Sequence, residues 1–390
     1  MDTTKYLILR RSDAKSLDGK KKRGPQAMGG AAGGPLEISV EHATGRVAAS
    51  LAREPEVAVI TPAMPTRLIP FVTGKVAGGV ADWGLEATGV TASRYDGAGV
   101  KIAVLDTGID AEHPAFAGVT MVQEDFSGDG VGDVQGHGTH CAGTIFGRDV
   151  GQRIGVARGV TEAFIGKVLR DDGSGDSEMI FQGMQWALAN RADVISMSLG
   201  FDFPGMVKRQ VAENWPADLA TSNALEAYRG NLRMFDAIME LARAKGGLGG
   251  GALVIAAAGN ESRREQHPEW RIAASLPAAA EDVISVAAVG KYGDELSIAR
   301  FSNSMATVSA PGVDITSAWP GGGLNTISGT SMACPLVAGI ASLWWQKVAE
   351  GKVKATPSNV RAALIGSASQ DALGGAFNEI DFGQGLVTAP

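Results

Sequence analysis

Three short segments each place a reactive side chain among small neighbours: Val104-Leu105-Asp106-Thr107-Gly108, Gly136-His137-Gly138-Thr139-His140 and Gly329-Thr330-Ser331-Met332-Ala333. In chain order they present Asp, His and Ser. A serine hydroxyl attacks a carbonyl only when a histidine removes its proton, and the histidine keeps the required tautomer only when a carboxylate holds it. A fourth segment, Ala256-Ala257-Ala258-Gly259-Asn260, ends an apolar run in an amide side chain, a donor for the oxygen that turns negative during attack. Taken singly, an Asp after a strand, a Ser before an apolar run and a Gly-His-Gly loop read as caps and turns. Together they describe acyl transfer. His140 falls elsewhere on a helical turn than His137 and reads as a packed or hydrogen-bonded residue.

The elements needed to position these groups are visible as pattern. Lys101 to Leu105, Phe164 to Leu169, Val194 to Met197, Leu253 to Ala257 and Val283 to Val289 are short continuous apolar runs, as expected of strands buried on both faces. Helical patterns separate them at Met179 to Ala189, Asn223 to Ala244 and Ser331 to Trp345, which predicts an α/β domain with a mainly parallel sheet covered on both sides. Asp106 then leaves the carboxyl edge of its strand, where such sheets build their sites. Ser331 opens a helix, whose free N–H groups face a developing oxyanion. The run from Gly246 to Gly251 follows a helix and precedes a strand. A phosphate cradle needs the opposite order, so this run reads as a flexible connection.

The 390 residues, 45% hydrophobic and 20% charged, can bury one large core or divide in two. A formal charge of −7 argues against nucleic acid as the main partner, and the run Lys20-Lys21-Lys22-Arg23 reads as a solvated loop. The apolar run from Tyr6 to Leu9 is too short for a membrane span or a secretory core, so no signal peptide is seen. The expected locations are the cytoplasm, export by another route, or the exterior if a leader has been removed.

These motifs resemble the subtilisin-like serine proteases, the subtilases of peptidase family S8, over roughly residues 80 to 390. The order Asp, His, Ser is that of subtilisin. Val168-Leu169-Arg170-Asp171-Asp172-Gly173-Ser174-Gly175 is similar to the family's substrate-lining strand, and Ser196-Met197-Ser198-Leu199-Gly200 to the opposite wall. The resemblance implies a three-layer subtilisin-like fold and a serine endopeptidase. It implies that Asp106 orients, His137 acts as general base and acid, Ser331 is the nucleophile and Asn260 stabilises the oxyanion. Gly173, Ser174, Gly175, Ser198, Leu199, Gly200 and Gly259 would line the substrate, a peptide or protein. Other readings of the same resemblance are a maturation protease for one substrate and an inactive binding module. No cofactor and no membrane partner are required.

Residues 1–75 form a separate small α+β unit in this reading, with strands at Lys5 to Arg10, Leu36 to Val40 and Val57 to Ile60, a helix at Arg46 to Arg53, and a flexible loop over 12–35. The unit resembles the inhibitory propeptides of the family. Its tail could lie along the cleft as an added strand, and self-cleavage is expected between Phe71 and Gly78. The catalytic domain is then 76–390, with an insertion at Phe201 to Asn231 placed for substrate selection or partner docking, because compact family members cross that interval with far fewer residues.

Two subsidiary sites remain open at this stage. Asp125-Phe126-Ser127-Gly128-Asp129-Gly130-Val131-Gly132-Asp133 has the oxygen spacing of half a calcium loop, although Gly136 stands where its last carboxylate would be. Calcium is therefore a weak candidate, and no metal ligand is assigned. Cys141 and Cys334 each lie one helical turn from a reactive residue, which fits either a bridge behind the site or two buried thiols.

Overall fold

A computed structural model of the chain describes residues 3–11, 36–73, 83–246, 251–293, 295–374 and 377–390. The expected loop at 12–35, the basic run within it, most of the glycine run and residues 74–78 of the cleavage window lie outside the described residues. The chain divides into two compact units. One comprises Met1–Met64 together with Phe203–Leu241, the other Pro65–Asp202 with Ala242–Pro390.

In the smaller unit, β1 (Thr4–Arg11) is the centre of an antiparallel sheet, flanked by β2 (Leu36–Ala43) and β3 (Val57–Pro62), with α1 (Gly45–Leu51) between β2 and β3. Leu7, Ile8 and Leu9 are consecutive and fully buried, so both faces of β1 are covered. This is the small α+β arrangement expected from the sequence.

In the larger unit, the chain begins with β4 (Pro65–Leu68), β5 (Val72–Thr73) and α2 (Trp83–Ala87). It continues through β6 (Lys101–Asp106), β7 (Thr120–Asp125), α3 (His137–Phe146), β8 (Glu162–Lys167), β9 (Ser174–Asp176), α4 (Ser177–Ala189), β10 (Val194–Met197) and β11 (Leu199–Phe201). Next come α5 (Phe203–Ala212) and α6 (Ala217–Gly246), which up to Leu241 belong to the smaller unit. The larger unit resumes with β12 (Leu253–Ala257), β13 (Ile284–Tyr292), β14 (Glu295–Ile298), β15 (Val308–Pro311), β16 (Ile315–Trp319) and β17 (Gly323–Ser328). The last helices are α7 (Thr330–Glu350), α8 (Pro357–Gly366) and α9 (Glu379–Phe382).

The central sheet has eight strands, in the order β14-β13-β12-β10-β6-β8-β7, with β15 also paired to β13. Every pairing in it is parallel except β13 with β14. Ile102 and Val104 point into the core cluster that holds side chains of α3 and α7, whereas Leu105 faces Gly183 of α4. Alternate residues of one strand thus meet helices on opposite faces, the three layers predicted from the apolar runs. Two antiparallel sheets complete the unit, β11-β4-β9 and β16-β17-β5.

The domain boundaries expected at 75/76 and 201/231 follow chain order, whereas compactness follows packing. Residues 65–73 fall in the larger unit, and the inserted helices fall with the N-terminal sheet. Ala220, Ala224, Ala227, Asn231, Met234, Phe235 and Ile238 of α6 are buried at spacings of three and four, one stripe of a helix. Asn231 Nδ2 donates to Thr61 Oγ1 at 3.2 Å and to Pro62 O at 2.9 Å, which ties α6 to the end of β3. Gly230 is the close-approach point, since a Cβ there would meet the Thr61 side chain.

Candidate active site

Asp106 is the last residue of β6 and His137 the first of α3, and both are buried. His137 Nδ1 lies 2.8 Å from Asp106 Oδ1. A carboxylate can only accept, so Nδ1 carries the hydrogen and Nε2 is left with its lone pair bare. Asp106 Oδ1 also accepts from Thr107 N at 2.8 Å, which fixes the carboxylate. His137 Nε2 has no hydrogen-bond partner.

The histidine's position is set by a residue that the sequence suggested for calcium. Asp133 Oδ1 accepts from Thr107 Oγ1 and Gly136 N, each at 2.8 Å, and its Oδ2 accepts from Thr139 N at 2.8 Å and Thr139 Oγ1 at 2.7 Å. Thr107 Oγ1 in turn accepts from Gly138 N at 2.9 Å. One buried carboxylate therefore clamps the loop after Asp106 to the first turn of α3. The remaining loop carboxylates are also engaged by donors. Asp125 accepts from Ser127 N, Ser127 Oγ, Gly128 N and Gly130 N, and Asp129 accepts from Asp171 N. Burial raises the Asp125 pKa, but the Ser127 hydroxyl and the loop's N–H groups outweigh it and hold the carboxyl below its usual range. This donor set is that of a turn-forming carboxylate.

Ser331 is the second residue of α7. Pro335 stands four residues on and has no N–H, so the usual helical bond to the Ser331 carbonyl cannot form. That carbonyl instead accepts from Ser198 Oγ at 3.1 Å and Cys141 Sγ at 3.5 Å. The proline frees the carbonyl, and the cleft wall and the His137 helix anchor it. Ser331 Oγ donates to Ser198 O at 3.4 Å.

Asn260 has its amide orientation fixed by Thr330. Its Oδ1 accepts from Thr330 N and Thr330 Oγ1, each at 2.9 Å, and Thr330 Oγ1 accepts from Gly259 N at 3.1 Å. Nδ2 is thereby turned outward, where it donates to Pro70 O at 2.8 Å. Gly259 has φ of 111°, a left-handed conformation that suits glycine, and a Cβ there would collide with Asn303. Asn303, fully buried, holds the following loop through bonds from Glu261 N and Ser262 N.

Between the two expected walls runs β4. Thr66 pairs with Gly175 and Arg67 with Ser174 on one side; Arg67 pairs with Gly200 and Leu68 with Leu199 on the other. Leu68 N donates to Gly173 O at 2.8 Å. Gly175 must be glycine for this approach, because a Cβ would sit 2.7 Å from Thr66 Oγ1 and 2.9 Å from Val168 O. Arg67 pairs with Asp202 and Glu261, each at 3.4 Å. The Phe71 ring stacks on His137 with centroids 5.8 Å apart. The sequence-predicted residues are thus gathered around one cleft, although Ser198 contributes to anchoring Ser331 rather than to the strand ladder.

The two cysteines are free and buried, so the bridge is not formed. Cys334 Sγ lies 3.6 Å from Ser196 Oγ and 3.5 Å from Ile255 O, and Cys141 Sγ 3.5 Å from Ser331 O. Among the described residues, the group of His, Cys and acidic side chains close enough to share a metal ion is Asp106, His137 and Cys141. Burial, reinforced by the Asp106 charge, pushes the Cys141 thiol well above its ordinary pKa. His140 is buried with Nε2 3.1 Å from Ile315 O, the packed role expected of it.

Thr107, Thr330 and Asn303 escaped the sequence reading, which places Asp133 in a calcium loop and Cys141 beside the site as a bridge partner or buried thiol. Thr107, Thr330 and Cys141 lie within the motifs, but their partners come from distant segments. No helix of the described residues is long and apolar enough to cross a membrane.

The subtilase family profile matches residues 97–386. The subtilisin-like serine protease Pen c 1 of Penicillium citrinum is 33% identical over 310 residues, covering 76% of this chain and 66% of its own length. Subtilisin-like protease 6 of Trichophyton rubrum is 35% identical over 281 residues, covering 68% of this chain and 57% of its own. The protease of the same name in Arthroderma benhamiae is 33% identical over 279 residues, covering 68% and 57%. The chain thus spans about three fifths to two thirds of the length of the relatives it matches. With the profile covering most of the chain and the motif residues gathered in one cleft, this protein belongs to the subtilase family.

Proposed function

We propose that the protein is a serine endopeptidase that hydrolyses peptide bonds through an acyl-enzyme, made as a self-inhibited precursor. The observation that carries this reading is the hydrogen bond from His137 Nδ1 to buried Asp106, which leaves Nε2 as the bare base of the site that Ser331 enters. In the reaction, Ser331 Oγ attacks the substrate carbonyl carbon and its proton passes to His137 Nε2. The imidazolium so formed is stabilised by Asp106, and the oxyanion is held by Asn260 Nδ2. His137 then protonates the leaving nitrogen. Water completes the cycle by hydrolysing the ester. No cofactor enters any step.

Self-inhibition is supported by β4 lying between β9 and β11 as a third strand, with Ser331 fully buried. An extended segment bound by backbone hydrogen bonds on both sides occupies the groove that a substrate would use. The substrate is accordingly a peptide or protein bound in extended form, with the chain's own N-terminal region as inhibitor. Residues 1–75 serve as the propeptide and 76–390 as the protease.

Hydrolysis of a peptide library by the matured protein tests the reading. The parent is expected to cleave it, and Ser331→Ala is expected to lose about 10⁶-fold in kcat, the scale known for subtilisin's own nucleophile. Equal activity of the two proteins would overturn the assignment.

A further inference from the structure

We propose that Asp202 and Glu261 form a recognition site for a cationic side chain, so that the protein selects peptides carrying arginine or lysine two residues before the acyl residue, an inference that rests on the serine-protease reading above. The site is seen with a cation in it. Arg67 Nη1 lies 3.4 Å from Asp202 Oδ1, and Arg67 Nη2 donates to Glu261 Oε1 at 3.4 Å. Both carboxylates belong to the walls of the cleft, since Asp202 directly follows β11 and Glu261 directly follows Asn260. With side chains 13% and 27% exposed they sit partly out of water, where an ion pair is screened less than on an open surface.

Glu261 is held in place independently of the arginine. Its Oε2 accepts from Asn303 Nδ2 at 2.7 Å, and its N–H donates to Asn303 Oδ1 at 3.0 Å. Asn303 is fully buried and is bonded in addition to Ala258 O and Ser262 N. A carboxylate fixed in this way keeps its other oxygen directed at the groove whichever residue lies there, so little ordering is needed when a cation binds. Asp202 shares in the backbone contacts as well, its N–H donating to Pro65 O at 3.0 Å.

Backbone pairing decides which substrate residue reaches the two carboxylates. Arg67 pairs with Gly200 on one side and with Ser174 on the other. Main-chain groups make these ladders, so they hold any extended peptide in the same register. Leu68 pairs with Leu199, and one further antiparallel step brings Ile69 opposite Ser198. Ser198 is bonded both ways to the nucleophile, its Oγ donating to Ser331 O at 3.1 Å and its carbonyl accepting from Ser331 Oγ at 3.4 Å. A Cβ on Gly200 would lie 3.4 Å from Ile69 Cγ1 and 3.6 Å from Ser275 Oγ, which places the Ile69 side chain between those two residues. A substrate residue in that place presents its carbonyl carbon to Ser331, and the residue at the acidic pair is then the third before the cleaved bond. The segment itself leaves this register at the oxyanion donor, because Asn260 Nδ2 binds the carbonyl of Pro70, one residue further on.

The test uses protein purified as the full chain and incubated until casein hydrolysis begins. Cleavage of a peptide library, mapped by mass spectrometry, should show arginine and lysine enriched at the third residue before the cut. Between two peptides differing only there, arginine should exceed alanine about fivefold in kcat/KM, the scale of partly exposed ion pairs, with the difference carried by KM and reduced by high salt. The ratio is taken within each protein, so a general loss of activity in a variant does not enter it. With Asp202→Asn and Glu261→Gln combined it should fall to about one, and Glu261→Lys in the Asp202→Asn background should favour glutamate at that position. A parent ratio near unity, enrichment at a different residue, or a ratio that survives both neutral substitutions would overturn the proposal. An inactive parent, or Ser331→Ala as active as the parent, would instead remove the serine-protease reading and the proposal with it.

Discussion

In the larger unit, buried polar groups are held by dense hydrogen bonding. Asp133 alone accepts four bonds, and Asn260, Thr330 and Gly259 form a closed chain of donors and acceptors. In the smaller unit, two stretches far apart in sequence are joined by an apolar stripe of α6 and by the amide of Asn231. The first kind of construction holds the site's groups through directional bonds, as the alignment needed for acyl transfer requires. The second buries an apolar stripe of α6, a contribution that is non-directional. A unit assembled from N-terminal residues and catalytic-region helices also has a consequence for processing. Cutting the chain near residue 70 separates its two parts covalently, while their packing remains.

The largest effect is expected where the polar network is cut. Asp133→Ala strands four buried donors, and urea unfolding in a Ser331→Ala background should show a loss of about 3 to 5 kcal/mol. A loss under 1 kcal/mol would mean that the loop is held by other contacts. In the smaller unit, Gly230→Leu forces a side chain against Thr61 and should cost about 1 to 3 kcal/mol. Its readout is retention of the processed fragment. Parent protein should keep its N-terminal fragment bound through gel filtration, and the variant should release it. Release from both proteins would mean that the apolar join is weak.

A third comparison uses pH. Burial, with the nearby His137 adding to it, holds the His140 pKa down to about 3, only partly offset by the Ile315 carbonyl. The unfolded histidine titrates near its ordinary value of about 6.5. Below that pH the unfolded chain takes a proton that the folded chain refuses, so stability falls as pH drops toward 3, by up to about 1.4 kcal/mol per unit. His140→Gln should flatten this limb between pH 6 and 4 in urea titrations. The smallest effect concerns Asp125, whose carboxyl is filled by its own loop. Chelation should leave the melting temperature within about 1 °C, and a larger fall would restore calcium to that loop.

The sequence made the reactive residues legible because each needs glycines or a strand end beside it, and such signals are local. Asp106, His137, Ser331 and Asn260 could be read for that reason, as could the apolar strands. What supports them could not. Ser331 O is anchored by Ser198 and Cys141 because Pro335 lacks an N–H, and nothing near Ser198 announces that partner. Asp133 carries the spacing of a calcium loop, and only folding brings Thr107 and Thr139 to it. The stripe on α6 was legible as a helix, but the strand that it meets, ending at Thr61 and Pro62, lies 166 to 170 residues away.

The central claim is that Ser331 is a nucleophile activated by His137 and covered by the segment from Pro65 to Phe71. It is tested most directly by mapping a fluorophosphonate adduct by mass spectrometry, before and after that segment is removed. One adduct per chain on Ser331, formed slowly with the segment in place and rapidly without it, is the expected result. An adduct on another residue, or a rate indifferent to the segment, would contradict the account.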